Sequence, residues 1–108
     1  MNFVEVVKVV GYSPRGGTPK PRAYLAGNNL RFNATATKQF NLVDGDDPAA
    51  VVMYDTDSGD IAIVQDNTNE NSIQFRVNSK SGTCSLYVPD LVTRFKPEDG
   101  TRYKVTED

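Results

Sequence analysis

The sequence predicts a mainly β (α+β) fold, a small β-barrel or sandwich of about seven short strands with two short helices. Its 108 residues have the length of one ordinary domain, so we expect residues 1–108 to share a single core. Runs of β-branched residues alternate with turns rich in glycine and aspartate, as is typical of antiparallel strands. Only two segments show the spacing of apolar residues that is typical of a helix.

Seven short segments have the composition and length of strands. The first, FVEVVKVV at residues 3–10, is rich in valine and ends at Gly11. The runs VVMYD (51–55) and IAIVQ (61–65) are separated by TDSGD, which predicts a hairpin. Further strands are expected within NNLRF at 28–32 and at residues 72–77, 83–88 and 101–105.

Two of the later strands carry an alternating apolar pattern, which predicts one buried face. In SIQFRV the apolar residues Ile73, Phe75 and Val77 fall on one side. NSKSG then turns the chain into TCSLYV, which predicts a second hairpin. In the last strand, Tyr103 and Val105 point in the same direction.

Two short helices are expected between the strands. Asn33 is a favourable cap for a helix over 34–42, in which Ala36 and Phe40 lie on one face. The second helix covers 89–95, because its first residue is a proline, which a first helical turn tolerates.

Charge is unevenly distributed along a chain whose net charge is only -2. Residues 1–43 carry six basic groups and one acidic group, whereas residues 44–73 carry eight acidic groups and no basic one. One part of the surface is therefore expected to attract a polyanion.

The basic part of the chain contains an irregular stretch, GYSPRGGTPKPR at residues 11–22, with three prolines and three glycines. This composition predicts a mobile basic loop. Basic residues interleaved with aromatic residues suit phosphates and unstacked bases. The candidate nucleic-acid-binding residues are Tyr12, Arg15, Lys20, Arg22, Tyr24, Arg31 and Lys38.

Two alternatives to nucleic-acid binding stay open. An acidic face could imitate phosphates and bind a basic host protein, as an inhibitor of a host defence complex would. Alternatively, an exposed edge at residues 3–10 could pair between subunits in a structural or assembly module. The candidate protein-binding residues of the first alternative are Asp44, Asp46, Asp47, Asp55, Asp57 and Asp60.

The residues needed for most catalytic chemistry are missing. The chain has no histidine, and a single Cys84 can form neither an internal disulfide nor a zinc cage. The segment DTDSGDIAIVQD fails as a calcium loop because its sixth and twelfth positions are both aspartate. We therefore expect no enzyme activity, no cofactor and no metal site. The single thiol and the lack of a secretory signal or membrane segment predict a cytoplasmic location.

The sequence also predicts an internal repeat, over residues 28–55 and 81–105. Each part gives a short strand, a short helix that ends on an aromatic residue, an acidic turn containing Asp-Gly and a new strand. Phe40 can be aligned with Phe95, or Asn33 with Pro89, and these alignments differ by one residue. Two such units, each too small to bury its own apolar face, would pack around one shared core.

At these residues the chain resembles the swapped-hairpin domain of AbrB and MazE-type transcription regulators. The likeness covers LRFNATATKQFNLVDGD with the following VVMYDTDSGDIAIVQ, and LYVPDLVTRFKPEDGTRYKV. Pro89 stands where the family keeps a proline, and Asn33 replaces that proline in the first unit. The resemblance implies a compact β-barrel, often dimeric, that binds DNA through basic residues. Those near the family's basic positions are Arg31, Lys38, Arg94 and Lys96.

The uneven charge and this resemblance together predict a small nucleic-acid-binding regulatory protein of phage or mobile-element type. The expected partner is nucleic acid or, in the alternative, a basic host protein. No membrane association is expected. The resemblance also implies that the protein forms a homodimer.

Overall fold

Nine strands and two helices make up the described part of the chain, which covers residues 3–8, 20–98 and 100–107 of the computed structural model. The helices are α1 (Ala34–Gln39) and α2 (Pro89–Phe95). The strands are β1 (Phe3–Lys8), β2 (Arg22–Ala26), β3 (Asn29–Phe32), β4 (Ala49–Tyr54), β5 (Ile61–Gln65), β6 (Ile73–Gln74), β7 (Arg76–Asn78), β8 (Thr83–Tyr87) and β9 (Arg102–Glu107).

All strand pairs are antiparallel and form one sheet in the order β6-β4-β5-β1-β9-β2-β3-β8-β7. The first and last strands of this order, β6 and β7, are separated in the chain by Phe75 alone. The sheet therefore curls into a nearly closed barrel. Of the two architectures expected, the structure is the barrel, and its mainly β character is confirmed.

Alternating side chains of the strands fill the barrel. On β2, for example, Leu25 is buried and its neighbour Tyr24 is exposed, and on β3 Leu30 is buried and its neighbour Arg31 is exposed. Burial of a large aliphatic side chain stabilises a fold by roughly 1.5–3 kcal/mol, so this interior provides the main driving force for folding. The largest buried side chains are Val4, Val6, Leu25, Leu30, Phe32, Leu42, Ile61, Ile63, Leu86, Val88, Tyr103 and Val105.

The helix α1 covers one end of the barrel. Asn33 is its N-cap, as expected, and Ala36 and Thr37 are its buried residues. The helix ends at Gln39, before the expected limit of 42, because Asn41 adopts a left-handed backbone conformation with φ 52°. The side chain of Gln65 donates a hydrogen bond to the Asn41 carbonyl at 3.0 Å, which connects the end of α1 to β5.

The helix α2 covers the opposite end of the barrel and has the expected limits. Its last residue, Phe95, stacks on Tyr54 at the end of β4, with ring centroids 4.7 Å apart. Lys96 stops the helix in a left-handed conformation with φ 48°. The internal repeat predicted for the chain stays a prediction, but β3-α1-β4 and β8-α2-β9 have the same order of elements.

The strand β2 was not expected from the sequence. It begins at Arg22, which the sequence places in the mobile loop of residues 11–22, so this part of the expectation is wrong. A two-residue turn at Gly27 and Asn28 joins β2 to β3 as a hairpin, and Gly27 supplies the positive φ of 60° that such turns require. Residues 11–19 lie outside the described residues.

Two further strand expectations need correction. The strand expected at 72–77 is divided at Phe75, whose N–H donates to Pro48 O at 2.9 Å. Val77 pairs with the buried Cys84 and so keeps the expected direction, but it is exposed and not buried because β7 is the last strand in the order of the sheet. Residues 3–8 form no exposed edge, since β1 pairs with β5 on one side and with β9 on the other. The shared inward direction of Tyr103 and Val105 is confirmed.

Candidate nucleic-acid interface

One row of outward-facing residues runs across five neighbouring strands. Arg102 of β9 lies opposite Tyr24 of β2, which in turn lies opposite Arg31 of β3. Ser85 of β8 continues the row, since it pairs with Arg31 on one side and with Arg76 on the other. The wall formed by β9, β2, β3, β8 and β7 is named the basic wall below. Three arginines and one tyrosine thus lie on one continuous surface.

A second pair of basic residues extends this surface. Lys104 of β9 lies opposite Arg22 of β2, two residues along each strand from the first row. The outward positions of β2, β3, β7 and β8, and of β9 between residues 102 and 106, contain no aspartate or glutamate. Five basic residues therefore share one face of the sheet, and such a face attracts a polyanion.

Two tyrosines give the basic wall an aromatic character. Tyr24 is 41% exposed and Tyr87 is 45% exposed, so both rings can contact a ligand. The guanidinium of Arg76 lies over the ring of Tyr87, 5.7 Å from its centroid. This cation–π contact holds Arg76 above the sheet and is worth about 0.5–1 kcal/mol at an exposed site.

A shallow depression of about 410 Å³ lies within the basic wall. Tyr24, Arg31 and Arg76 line it, together with the polar side chains of Asn78 and Ser85. Its lining combines two cationic groups, one aromatic ring and several hydrogen-bonding groups. A phosphate with an attached planar ring is the kind of group that these residues can contact together.

The side chain of Asn33 positions the start of β2. Its Oδ1 accepts hydrogen bonds from the backbone N–H of Ala36 at 2.8 Å and of Arg22 at 3.1 Å. Its Nδ2 donates to the carbonyl of Lys20 at 2.8 Å. Arg22 itself is half-buried, and its Nη1 donates to Pro21 O at 3.1 Å. One amide therefore fixes both the first helical turn and the backbone that carries two of the basic residues.

The structure brings together some of the residues that the sequence nominated. Arg22, Tyr24 and Arg31 lie on the basic wall, and the exposed Lys20 precedes it in the chain. Lys38 does not join them, because it lies in the last turn of α1, the end of the helix that Gln65 connects to β5. Tyr12 and Arg15 lie outside the described residues.

Three basic residues of the wall were missed by sequence reasoning. Arg76, Arg102 and Lys104 are far from residues 1–43 in the chain and reach the wall through strand pairing. The local signals were the alternation of SIQFRV, which places Arg76 opposite the apolar face, and that of TRYKV, which places Arg102 and Lys104 on the face opposite Tyr103. Those signals do not reveal which strand lies beside them.

The aspartates proposed as one acidic face are not brought together. Asp44, Asp46 and Asp47 precede the start of β4, whereas Asp55, Asp57 and Asp60 follow its end. Six residues of strand separate the two groups by about 17 Å at the usual rise per residue. The second group forms the turn of the β4–β5 hairpin, as the sequence predicts.

Two acidic side chains, Asp55 and Asp66, accept hydrogen bonds within turns of the chain. Asp55 Oδ1 accepts the backbone N–H of Asp57 at 2.8 Å and of Ser58 at 3.3 Å. These hydrogen bonds lower the pKa of Asp55 below its usual value. Hydrogen bonds from the Thr68 hydroxyl and N–H likewise lower the pKa of Asp66. Both carboxylates therefore stabilise turns.

The single thiol is part of the core. Cys84 is buried, and its Sγ lies 3.2 Å from the Oγ1 of Thr37. Burial raises the pKa of the thiol, and the hydrogen bond with Thr37 opposes this only in part. Within residues 3–8, 20–98 and 100–107, no group of three or more His, Cys, Asp or Glu side chains could hold a metal ion.

Comparisons with known proteins give no identification. No family model matches the chain, and searches of the curated proteins and of the solved structures return no match. Neither of the described helices has the length and apolar character needed to cross a membrane. The basic wall, with its row of arginines around Tyr24, is the feature of the described residues that points most directly to a ligand class.

Proposed function

We propose that the protein is a small, non-enzymatic nucleic-acid-binding protein that uses the basic wall as its contact surface. Arginine and lysine side chains on this wall contact phosphates, and the exposed tyrosines pack on sugars or bases. The observation that most directly supports this proposal is the cross-strand row in which Tyr24 lies between Arg102 and Arg31.

Charge segregation supports this proposal despite the net charge of -2. Around the barrel, the hairpin β4–β5 lies on the side away from β2 and β3. Two strands, β1 and β9, separate them in one direction, and three strands, β6, β7 and β8, separate them in the other. The aspartates at the two ends of β4 therefore lie away from the centre of the basic wall. A nucleic acid on the wall meets positive charge first.

A regulatory role is the further part of the proposal. It is supported by the resemblance of the two strand-helix-strand segments to the AbrB and MazE-type domain, which stays a prediction. Arg31 is the residue common to that resemblance and to the basic wall. The other three basic residues named by the resemblance lie on α1 or at α2.

Binding can be measured by fluorescence anisotropy of labelled DNA and RNA oligonucleotides at several salt concentrations. If roughly three to five phosphates are contacted, the logarithm of the affinity should fall with the logarithm of salt concentration with a slope of about -2 to -4. The variant Arg31→Ala should bind several-fold more weakly, with a shallower slope, because one phosphate contact is lost.

Lys38→Ala is the matched control for Arg31→Ala. It also removes one exposed positive charge, but from the last turn of α1 and not from a strand of the basic wall. Its affinity should stay within about twofold of the parent, since Lys38 is not part of the cross-strand row and exposed charges outside a contact surface are largely screened at physiological salt. Equal effects of the two variants, or no binding of any oligonucleotide at low salt, would overturn the proposal.

A further inference from the structure

The geometry of the basic wall points to a preference for single-stranded over double-stranded nucleic acid, with Tyr24 as the stacking platform for an unpaired base. This inference rests on the proposed function and specifies its ligand. Three observations carry it: the width of the wall, the exposure of an aromatic ring at its centre and the depression beside that ring.

The width of the wall does not suit the grooves of a duplex. Tyr24 and Arg31 lie on the second and third of five neighbouring strands, which together span about 19 Å at the usual spacing between strands. The major groove of B-DNA is about 12 Å wide and admits one helix or a two-stranded ribbon. A surface of this width therefore does not enter the major groove as a helix or a two-stranded ribbon does.

The helices do not supply an alternative way into a groove. They have six and seven residues, and each covers one end of the barrel. Ala36 and Thr37 of α1 and Leu91 of α2 are buried against the core. Duplex DNA could therefore meet the described surface only through its phosphates, and the exposed tyrosine would have no base to contact.

An unpaired base, by contrast, offers its flat face to an aromatic side chain. Tyr24 stands at an outward position with Arg102 and Arg31 as its two cross-strand neighbours. A base stacked on this ring would have a cationic group on either side for the flanking phosphates. In a duplex the same base faces are covered by neighbouring base pairs, so this contact is available only in a single strand.

The depression beside Tyr24 provides room for the adjoining nucleotide. Its volume of about 410 Å³ falls within the range of small-ligand sites, roughly 300–1,000 Å³. Arg31 and Arg76 are its cationic groups. The contact of Arg76 with Tyr87 favours a positive charge over the sheet at the far side of the depression, so a strand bound at Tyr24 and Arg31 could continue towards β7.

The test compares three labelled probes: a single-stranded oligodeoxythymidylate of about 20 nucleotides, its RNA counterpart and a duplex of the same length. The inference expects both single strands to bind at least about tenfold more tightly than the duplex at the same salt concentration. The relative affinity of the DNA and RNA single strands shows which sugar the wall accepts, and either order supports the inference.

Tyr24→Ala and Tyr24→Phe separate stacking from charge. The alanine variant should lose about tenfold in affinity for the single strands and little for the duplex, whereas phenylalanine should retain binding. Met53→Ala is the matched control, since Met53 is also a large, exposed side chain on a strand but lies on β4. Circular dichroism and thermal unfolding confirm that each variant is folded.

The outcomes distinguish the two proposals. Binding of the duplex as tightly as the single strands, or equal losses for Tyr24→Ala on both, would overturn the single-strand inference and leave the proposed function standing. Absence of binding to all three probes at low salt would overturn both.

Discussion

Asn33 and Arg22 form two hydrogen bonds with each other between β3 and β2. The backbone N–H of Asn33 donates to Arg22 O at 3.0 Å, and the backbone N–H of Arg22 donates to Asn33 Oδ1 at 3.1 Å. The same Oδ1 accepts the N–H of Ala36. The residue that caps α1 therefore also fixes the position at which the basic wall begins.

Replacing Asn33 should destabilise the protein by more than the loss of an ordinary helix cap. Asn33→Ala removes three side-chain hydrogen bonds, so we expect about 2–3 kcal/mol less free energy of unfolding. Asn33→Asp keeps the acceptor oxygen and loses only the bond to Lys20 O, so about 1 kcal/mol is expected. Urea denaturation measures both values. Equal losses for the two variants would show that the acceptor oxygen contributes little.

The thiol of Cys84 should be unreactive in the folded protein. Its side chain is buried and its pKa is raised, so little thiolate forms and reagents cannot approach it. With an aromatic disulfide reagent near neutral pH, we expect the reaction rate to follow the fraction of unfolded molecules as urea is increased. Fully unfolded protein gives the reference rate. Rapid reaction without urea would contradict the described position of Cys84.

Tyr103 should make the protein less stable at alkaline pH. Burial, with smaller contributions from the charges of Tyr54 and Asp60, raises the pKa of Tyr103 to about 12. An unfolded tyrosine ionises near pH 10, so between about pH 10 and pH 12 the unfolded chain holds fewer protons than the folded protein. Stability from this group is therefore complete below pH 10 and falls as the pH rises towards 12.

The expected loss over this interval is on the order of 2–3 kcal/mol. Tyr103→Phe is the control, because it keeps the ring in the core and removes the titrating hydroxyl. Thermal unfolding from pH 9 to pH 12 should show a steeper decline for the parent than for this variant. Parallel curves would mean that the Tyr103 hydroxyl ionises as readily in the folded protein as in the unfolded chain.

Lys96 offers a stabilising substitution. It ends α2 with φ 48°, a conformation in which a side chain with a Cβ is strained and glycine is not. We expect Lys96→Gly to raise the free energy of unfolding by about 0.5–1 kcal/mol. Lys96→Ala removes the same charge and keeps the strain, so it should bring no gain. If alanine stabilises the protein as much as glycine does, the charge and not the backbone is responsible.

The features that were correctly predicted from the sequence have local causes. Asn33 and Pro89 mark the beginnings of the helices because capping and first-turn preferences depend on a few neighbouring residues. The hairpin turn at 55–60 and the turn at 78–82 follow from aspartate, asparagine and glycine at turn positions. In each case the determining interaction spans fewer than about six residues.

Most of the features that were missed depend on pairing between distant segments. RAYLA is a weak strand signal by itself, and although the turn at Gly27 and Asn28 joins β2 locally to β3, its other neighbour, β9, lies about 80 residues later in the chain. The same pairing brings Arg102 and Lys104 beside Tyr24 and Arg22. The exposure of Val77 could not be predicted because it depends on the position of β7 at the end of the strand order, which the alternation does not show. The sequence therefore predicted Arg22, Tyr24 and Arg31 of the candidate surface, but not Arg76, Arg102 and Lys104.

The insertion of β9 between β1 and β2 has a consequence for biosynthesis. The strands β1 and β2 do not pair with each other, and β9 (residues 102–107) joins them by pairing with both. A nascent chain can form the β2–β3 and β4–β5 hairpins as it emerges from the ribosome, but it cannot assemble the complete surface until residues 102–107 have been synthesised. A chain that stops before residue 102 lacks Arg102 and Lys104, so it should bind any ligand of that surface more weakly than the longer chain.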